Sequence, residues 1–343
     1  MELKIKVLIV DDSEMVCRIF AQELAKDPAL EVIGTAPDAI VAREMIGRLK
    51  PDVLLLDIEM PGVDGLTFLE QLTTSYPLPV IIVSSLAKSG SAVALRALEL
   101  GAADVMAKPG PSYSVKDLCE QLIEKIKAVA YLDDFTGSFL KFSRNLVVTS
   151  THSAAAHRKV IAIGAPTGGT KAINEILTRL PENMPPILIV SHMSPYFTKA
   201  FADRLNDFCA LEVKVAEDQE PLTLGKALLA PGNQHLVLKK TDAGYFVEVK
   251  SGPLVLHQRP SIEVLFRSIA LYAGPDSIGV LLAGMGKDGP QGLLDLKNAG
   301  ALTIAQDNTN SKSADIIQQA QAINAVTKVA PLEDIAQILV DSL

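Results

Sequence analysis

Three carboxylates, a hydroxyl and an ammonium close successive apolar runs in the first third of the chain. Asp11 and Asp12 follow Val7–Val10, Asp57 ends Val53–Asp57, Ser84 ends Val80–Ser84, and Lys108 follows Asp104–Ala107. Clustered carboxylates repel one another unless a divalent cation neutralises them, and hard oxygen donors suit Mg2+. Metal, hydroxyl and ammonium around one carboxylate would stabilise an acyl phosphate on it. A second set of groups lies further along. The buried-strand run Val160–Gly164 passes through Ala165-Pro166-Thr167-Gly168-Gly169 into a helix starting near Thr170. Such a turn presents one side chain at a helix N-terminus, where the dipole and free N–H groups can form an oxyanion hole. His192 follows Ile187–Ser191, and Asp288 follows Ser277–Ala283 within Gly284-Met285-Gly286-Lys287-Asp288-Gly289. A base and its orienting carboxylate at neighbouring strand ends obey triad logic, which depends on geometry rather than chain order. The nucleophile's place holds Pro166, whose pyrrolidine carries no hydroxyl and no N–H.

These groups meet only if the runs that carry them lie side by side. From residue 5 to about 130, short apolar strands (the four above and Glu31–Thr35) alternate with amphipathic helices. The helices fall near Glu14–Ala25, Ala39–Leu49, Gly65–Leu72, Ser91–Leu100 and Val115–Ala130. Five such units predict a parallel sheet covered on both faces, with functional groups at the carboxyl ends of its strands. Residues 131–157 turn small and polar, as a linker does. From 158 to 343 a second α/β pattern runs through Val160–Gly164, Ile187–Ser191, Ala227–Ala230, Ser277–Ala283 and Ala301–Ala305. A hairpin at Leu236–Lys240 and Tyr245–Val249 predicts a mixed sheet there.

At 343 residues and 48% hydrophobic, the chain can bury two ordinary cores. A net charge of −8 argues against nucleic-acid binding, which needs a basic face. No apolar run reaches the roughly 18 residues needed to cross a bilayer, so no membrane insertion is expected. The opening Met-Glu-Leu-Lys-Ile-Lys enters a strand directly, without a signal-peptide core. Cys17, Cys119 and Cys209 lack metal spacing and read as core or surface thiols in a reducing cytoplasm.

Each piece of the second set has a plainer reading when taken alone. His192 could be a surface or capping histidine. Asp288 could be a turn residue, or the N-cap of a helix starting near Pro290. The glycine-rich turn could cradle a phosphate, but it lacks the G-x-G-x-x-G fingerprint of dinucleotide sites.

The motifs themselves carry a resemblance. Val10-Asp11-Asp12-Ser13, Leu56-Asp57-Ile58-Glu59-Met60-Pro61-Gly62-Val63-Asp64-Gly65, Val83-Ser84-Ser85 and Ala107-Lys108-Pro109 resemble a two-component receiver domain. That resemblance implies a flavodoxin-like fold with Asp57 as the phosphoacceptor. It implies Mg2+ held by Asp11, Asp12, Asp57 and the Glu59 carbonyl, and a phosphoryl group gripped by Ser84 and Lys108. Val105 departs from it, where many receivers place an aromatic switch. With Ala162-Ile163-Gly164-Ala165, Thr167-Gly168-Gly169-Thr170, His192-Met193, Ala230-Pro231-Gly232, Arg259-Pro260-Ser261 and Gly284-Met285-Gly286-Lys287-Asp288-Gly289, nearly the whole chain resembles the chemotaxis response-regulator methylesterase family, the CheB type.

The resemblance implies a doubly wound α/β methylesterase-like domain after the receiver. His192 would be its general base and Asp288 the orienting partner. Thr167, Gly168 and Met285 would line the oxyanion turn, and the nucleophilic serine would stand where this chain has Pro166. No cofactor is expected in this half. The segment Asp307–Asp315 departs a second time, where the family carries an apolar stretch bordering the cleft. The implied partners are a sensor histidine kinase as phosphodonor and the cytoplasmic methylation region of a chemoreceptor. Three functions follow: a phosphorylation-controlled binding module with little or no esterase activity, an active methylesterase and glutamine deamidase using an unusual nucleophile or water, or a phosphate sink. Thr167 is adjacent to the lost nucleophile, and Ser191 and Ser194 flank His192, but neither serine sits at the helix N-terminus.

Overall fold

A computed structural model describes residues 4–76, 78–85, 91–108, 115–130, 147, 159–193, 195–284, 286–307 and 315–343. Contacts divide the chain into two units, Met1–Leu140 and Lys141–Leu343. The predicted linker, apart from Val147, lies outside the described residues.

The first unit runs β1 (Ile5–Val10), α1 (Glu14–Leu24), β2 (Leu30–Ala36), α2 (Ala39–Leu49), β3 (Val53–Leu56), α3 (Gly65–Ser75), β4 (Val80–Ser84), α4 (Ser91–Glu99), β5 (Asp104–Ala107) and α5 (Val115–Ala130). All its strands pair in parallel, in the order β2-β1-β3-β4-β5. Because both faces are covered, β3 and β4 are buried at every residue, which is why their sequences are unbroken apolar runs. The helices start where a polar side chain can satisfy their first N–H groups. Asp38 accepts from Ile40 and Val41, and Asp64 accepts from Leu66 and Thr67. Helix α1 turns Cys17, Phe20 and Leu24 inward, spaced three and four residues apart.

The second unit runs β6 (Val160–Ala165), α6 (Thr170–Leu177), β7 (Ile187–Ser191), α7 (Pro195–Phe208), β8 (Glu212–Val215), β9 (Glu220–Pro221), β10 (Lys226–Leu229), β11 (His235–Thr241), β12 (Gly244–Lys250), α8 (Ile262–Tyr272), β13 (Ser277–Leu281), α9 (Pro290–Asn298), β14 (Leu302–Gln306), α10 (Asp315–Ala322), β15 (Lys328–Ala330) and α11 (Leu332–Asp341). Seven strands form one sheet, ordered β15-β14-β13-β6-β7-β10-β8, with every pair parallel.

The expected mixed sheet is therefore wrong. The hairpin β11–β12 forms a separate antiparallel sheet with β9. The reason lies in its alternation. Leu236, Leu238 and Val247 are buried in the core with Leu265 and Ile269 of α8, while Val237, Lys239, Phe246 and Glu248 stay partly exposed. A ribbon with one apolar face packs as a layer; the central strands β6, β7 and β13 of the parallel sheet bury both faces. The strand readings also missed β8, although Leu211, Val213 and Val215 alternate there with polar residues, and β9 and β15, which are too short to show a period. Among the described residues no helix is long and apolar enough to cross a membrane.

Candidate functional sites

In each unit the strand order reverses beside one strand, and the crevice outside that reversal is where open α/β sheets gather ligands. In the first unit the reversal lies at β1 and β3. Asp11 and Asp12 follow β1, Asp57 follows β3, and one ligand oxygen from each lies within 4.8 Å of the others. Lys108 reaches in from the end of β5, placing Nζ 2.6 Å from Asp11 Oδ2 and 2.5 Å from Asp57 Oδ2. Ser84 closes β4 fully buried, and its carbonyl accepts the Lys108 N–H at 3.2 Å. Glu59 is exposed, with its N–H 3.3 Å from Asp57 Oδ1. All the predicted side chains thus share one edge.

The loop leaving Asp57 is held from below by a close approach. A Cβ on Gly65 would lie 2.2 Å from the Asp57 carbonyl oxygen, so only glycine fits there. Val105, in the aromatic's usual place, is 1% exposed within β5.

Two of these three carboxylates share one lysine, and Asp12 lies beside them. Burial pushes Asp11 above the ordinary carboxylate range, against the pull of Lys108 and the Ser13 N–H. Burial would lower the Lys108 ammonium, but Asp11 and Asp57 outweigh it and hold it above its usual value. Such a surplus of hard oxygen donors fits a divalent cation such as Mg2+.

In the second unit the reversal lies at β6, flanked by β13 and β7. Ala165 pairs with Ser191, so Pro166 and His192 leave adjacent strands side by side. Pro166 is buried and opens a turn in which its carbonyl accepts the Gly169 N–H at 2.9 Å. Gly168 has φ +89°, which makes this a type II turn with glycine at its third position. The turn uses the Gly169 N–H internally, so Thr167 and Gly168 supply its remaining donors. The loop after β13 closes on the pyrrolidine: a Cβ on Gly284 would come 2.8 Å from Pro166 Cβ.

His192 Nε2 lies 2.8 Å from Asp288 Oδ2, and both side chains are almost wholly buried. With Nε2–H directed to the carboxylate, Nδ1 is the ring's basic nitrogen. Asp288 receives three further donors. Ser261 Oγ reaches Oδ1 at 2.7 Å, the Ile262 N–H reaches Oδ2 at 2.7 Å and the Glu263 N–H reaches Oδ1 at 3.0 Å. The carboxylate therefore caps α8 from outside. Burial alone would raise its proton affinity; His192 and these donors overcome that and hold the carboxyl below its ordinary range.

Behind Ser261 stands His235, which accepts the Ser261 N–H at Nδ1 (3.2 Å) and donates from Nε2 to the Pro253 carbonyl (2.8 Å). Ser261 belonged to a motif singled out in the sequence, whereas His235 and Glu263 did not. The only sequence signal for Glu263 is an acid in the first turn of a helix, normally a solvated position. Met285, Ser194 and residues 308–314 lie outside the described residues. Asp307 is held by its N–H to the Ala330 carbonyl. The thiols of Cys17 and Cys119 are buried and pushed up to about 11, so neither is a ready nucleophile.

Comparison with known proteins gives two family matches, CheB methylesterase over residues 161–339 and response regulator receiver domain over residues 7–121. The chain is 50% identical over 340 residues to the protein-glutamate methylesterase/protein-glutamine glutaminase 2 of Syntrophus aciditrophicus (strain SB), covering 98% of each chain. It is 45% identical over 333 residues to the similarly named protein 4 of Anaeromyxobacter dehalogenans (strain 2CP-C), covering 97% of this chain and 93% of that one. Among solved structures it resembles the Thermotoga maritima CheB methylesterase catalytic domain. That match has 33% identity and a TM-score of 0.52, and covers 54% of this chain and 98% of the other.

Proposed function

From the premise that this chain belongs to the CheB methylesterase family, we propose that it is a cytoplasmic chemotaxis response regulator acting as a phosphorylation-controlled binding module, with little or no ester hydrolysis. In this reading residues 1–130 are the switch, 131–157 the linker and 158–343 the effector. The relatives' names make protein glutamate methyl esters and protein glutamines the reference substrates. The partners are then a sensor histidine kinase and the cytoplasmic methylation region of a chemoreceptor.

At the switch, an Asp57 carboxylate oxygen attacks the phosphorus of a kinase phosphohistidine, forming the O–P bond as the P–N bond breaks. Lys108, between Asp57 and Asp11, neutralises charge on the transferred group, and Ser84 offers it a hydroxyl. Asp11, Asp12, Asp57 and the Glu59 carbonyl would hold Mg2+, which supplies charge neutralisation when bound.

In the effector, one observation carries the reading: the position beside His192 at the end of β6 is Pro166. Acyl transfer needs an oxygen or sulfur nucleophile there, and a pyrrolidine offers neither. His192 and Asp288 remain paired, so these polar groups stay aligned beside Pro166 for binding. The same pairing favours one second reading, in which His192 activates water directly. That route lacks the covalent step and forgoes much of the usual acceleration. If neither binding nor hydrolysis occurs, Asp57 alone still makes the chain a phosphate sink.

The test is methanol release from a methylated chemoreceptor fragment, with and without phosphorylation. Wild type and His192→Ala are expected to be equally silent, while phosphorylation changes retention of the fragment. Release that disappears in His192→Ala would overturn the inactive reading.

A further inference from the structure

A second carboxylate lies buried beside Asp288. Glu263, second residue of α8, is 2% exposed. Its Oε1 accepts the N–H groups of Gly289 (3.1 Å) and Gln291 (3.0 Å). Gly289, which directly follows Asp288, is the N-cap of α9, and Gln291 lies in its first turn. Asp288 in turn accepts the N–H groups of Ile262 and Glu263, which start α8. The two helices are thus clasped reciprocally, each carboxylate satisfying the first turn of the other's helix. Helix α9 needs that outside partner. Gly289 makes no side-chain cap, and Pro290, at the first helical position, has no N–H.

We propose that Glu263 is a positioning residue for the His192–Asp288 pair, holding the loop before α9 so that Asp288 Oδ2 faces His192 Nε2. This rests on reading His192 and Asp288 as a dyad, and is independent of whether the chain cleaves esters. The loop has little stiffness of its own. Gly286 and Gly289 flank the aspartate at φ +126° and +138°, where other residues rarely stay. On one side the loop is tied by Gln319 Nε2 to the Gly286 carbonyl at 3.2 Å, and on the other by the two bonds to Glu263. Gly292 lets Glu263 in: a Cβ there would stand 3.0 Å from Oε2 and 2.8 Å from Phe266 Cβ.

The surroundings push the two carboxyls in opposite directions. Burial raises Glu263, opposed by the Gly289 N–H and reinforced by the nearby Asp288 charge, whereas Asp288 is held down. Neighbouring acids separated in this way take different roles. Asp288 keeps the charge that faces the imidazole. Glu263 has only to accept two N–H bonds through Oε1. Its Oε2 makes no hydrogen bond among the described residues and has Arg267 Nη2 at 3.7 Å. The clasp therefore needs the oxygen of Glu263 and its reach, but not its charge.

The full-length chain, labelled with 15N-histidine, reports this through the His192 imidazole; the sequence has five histidines, and His192→Ala identifies the signal. In wild type, Nε2 is expected to carry the proton, with the low-field N–H resonance of a bond to carboxylate. Glu263→Gln should keep this signature. Glu263→Ala, and Glu263→Asp with one methylene fewer, should lose it through tautomer averaging while cooperative unfolding persists. An unchanged signature in either of those two variants overturns the proposal. If Glu263→Ala fails to fold, the contrast between Glu263→Asp and Glu263→Gln decides alone. A wild-type chain with no His192-dependent signature overturns the dyad itself, and the positioning role with it.

Discussion

At the receiver edge three carboxylates gather at one lysine that bonds only two of them, whereas in the C-terminal half one carboxylate has four donors to itself. The same imbalance runs through the two units. Residues 1–140 hold 13 lysines and arginines against 21 acids, while residues 141–343 hold 19 of each, so the whole net charge of −8 belongs to the first unit. The receiver site is electrostatically unfinished, and its surplus oxygens are what a metal ion and a phosphoryl group complete. The second site is electrostatically finished, with every Asp288 oxygen bonded, but chemically unfinished, because no hydroxyl stands at Pro166. Charge surplus marks a site that works by acquiring a ligand. Full satisfaction marks one whose groups are already aligned.

Four experiments press on that contrast. The largest effect is expected from Asp57→Ala, which should abolish phosphoryl labelling from a histidine-kinase donor, while Pro166→Ser labels like wild type. Equal labelling of wild type and Asp57→Ala would remove the receiver half of the comparison. Next is Pro166→Ser in the methanol-release assay. Losing a triad nucleophile typically costs on the order of 10^4- to 10^6-fold in kcat. Restoring a hydroxyl beside the aligned His192 should raise release at least about tenfold, and His192→Ala should cancel the gain. Silence in Pro166→Ser would point to a second lesion in Asp307–Asp315.

Smaller effects concern stability. Lys108→Met leaves Asp11 and Asp57 buried without their cation and should cost the first unit about 3–5 kcal/mol in urea unfolding, with recovery on adding Mg2+. Asp288→Ala strands the donors of Ser261, Ile262 and Glu263 and should cost about 3 kcal/mol, with no response to Mg2+. A Mg2+ response in the second case, or none in the first, would break the contrast. The smallest effect is the pH dependence of Asp288. Its folded proton affinity lies below that of a free carboxyl, near 3.9, so its stabilisation is present above that value and is lost as pH falls through the folded value. The stability gap between wild type and Asp288→Asn should narrow as pH falls below about 4. A gap that closes between pH 7 and 5 would contradict the depressed carboxyl.

Much of the receiver edge was legible because parallel strands all point one way, which brings the residue after each apolar run to a common edge. Asp11, Asp12, Asp57, Ser84 and Lys108 could be placed together from chain order alone. The same logic brought Pro166, His192 and Asp288 to one edge of the second sheet. It failed for the hairpin, where alternation announced β11 and β12 but not the layer they would join. It failed also for β15, three residues with too little apolar signal to act on, and it passed over β8, where Leu211, Val213 and Val215 alternate with polar residues. Glu263 was hidden for a different reason. An acid in a first helical turn reads as solvated, and only the arrival of α9 buries it.

By itself the sequence determined the two α/β halves, the acidic edge and the missing hydroxyl, since these depend on residue type and on strand direction. Tertiary structure alone decided that the seven strands are all parallel and that the hairpin stands apart. It also decided that Asp288 and Glu263 exchange caps across two helix N-termini. Those contacts join residues about 25 positions apart through backbone N–H groups, which every residue but proline carries and which leave no mark on sequence until packing selects them.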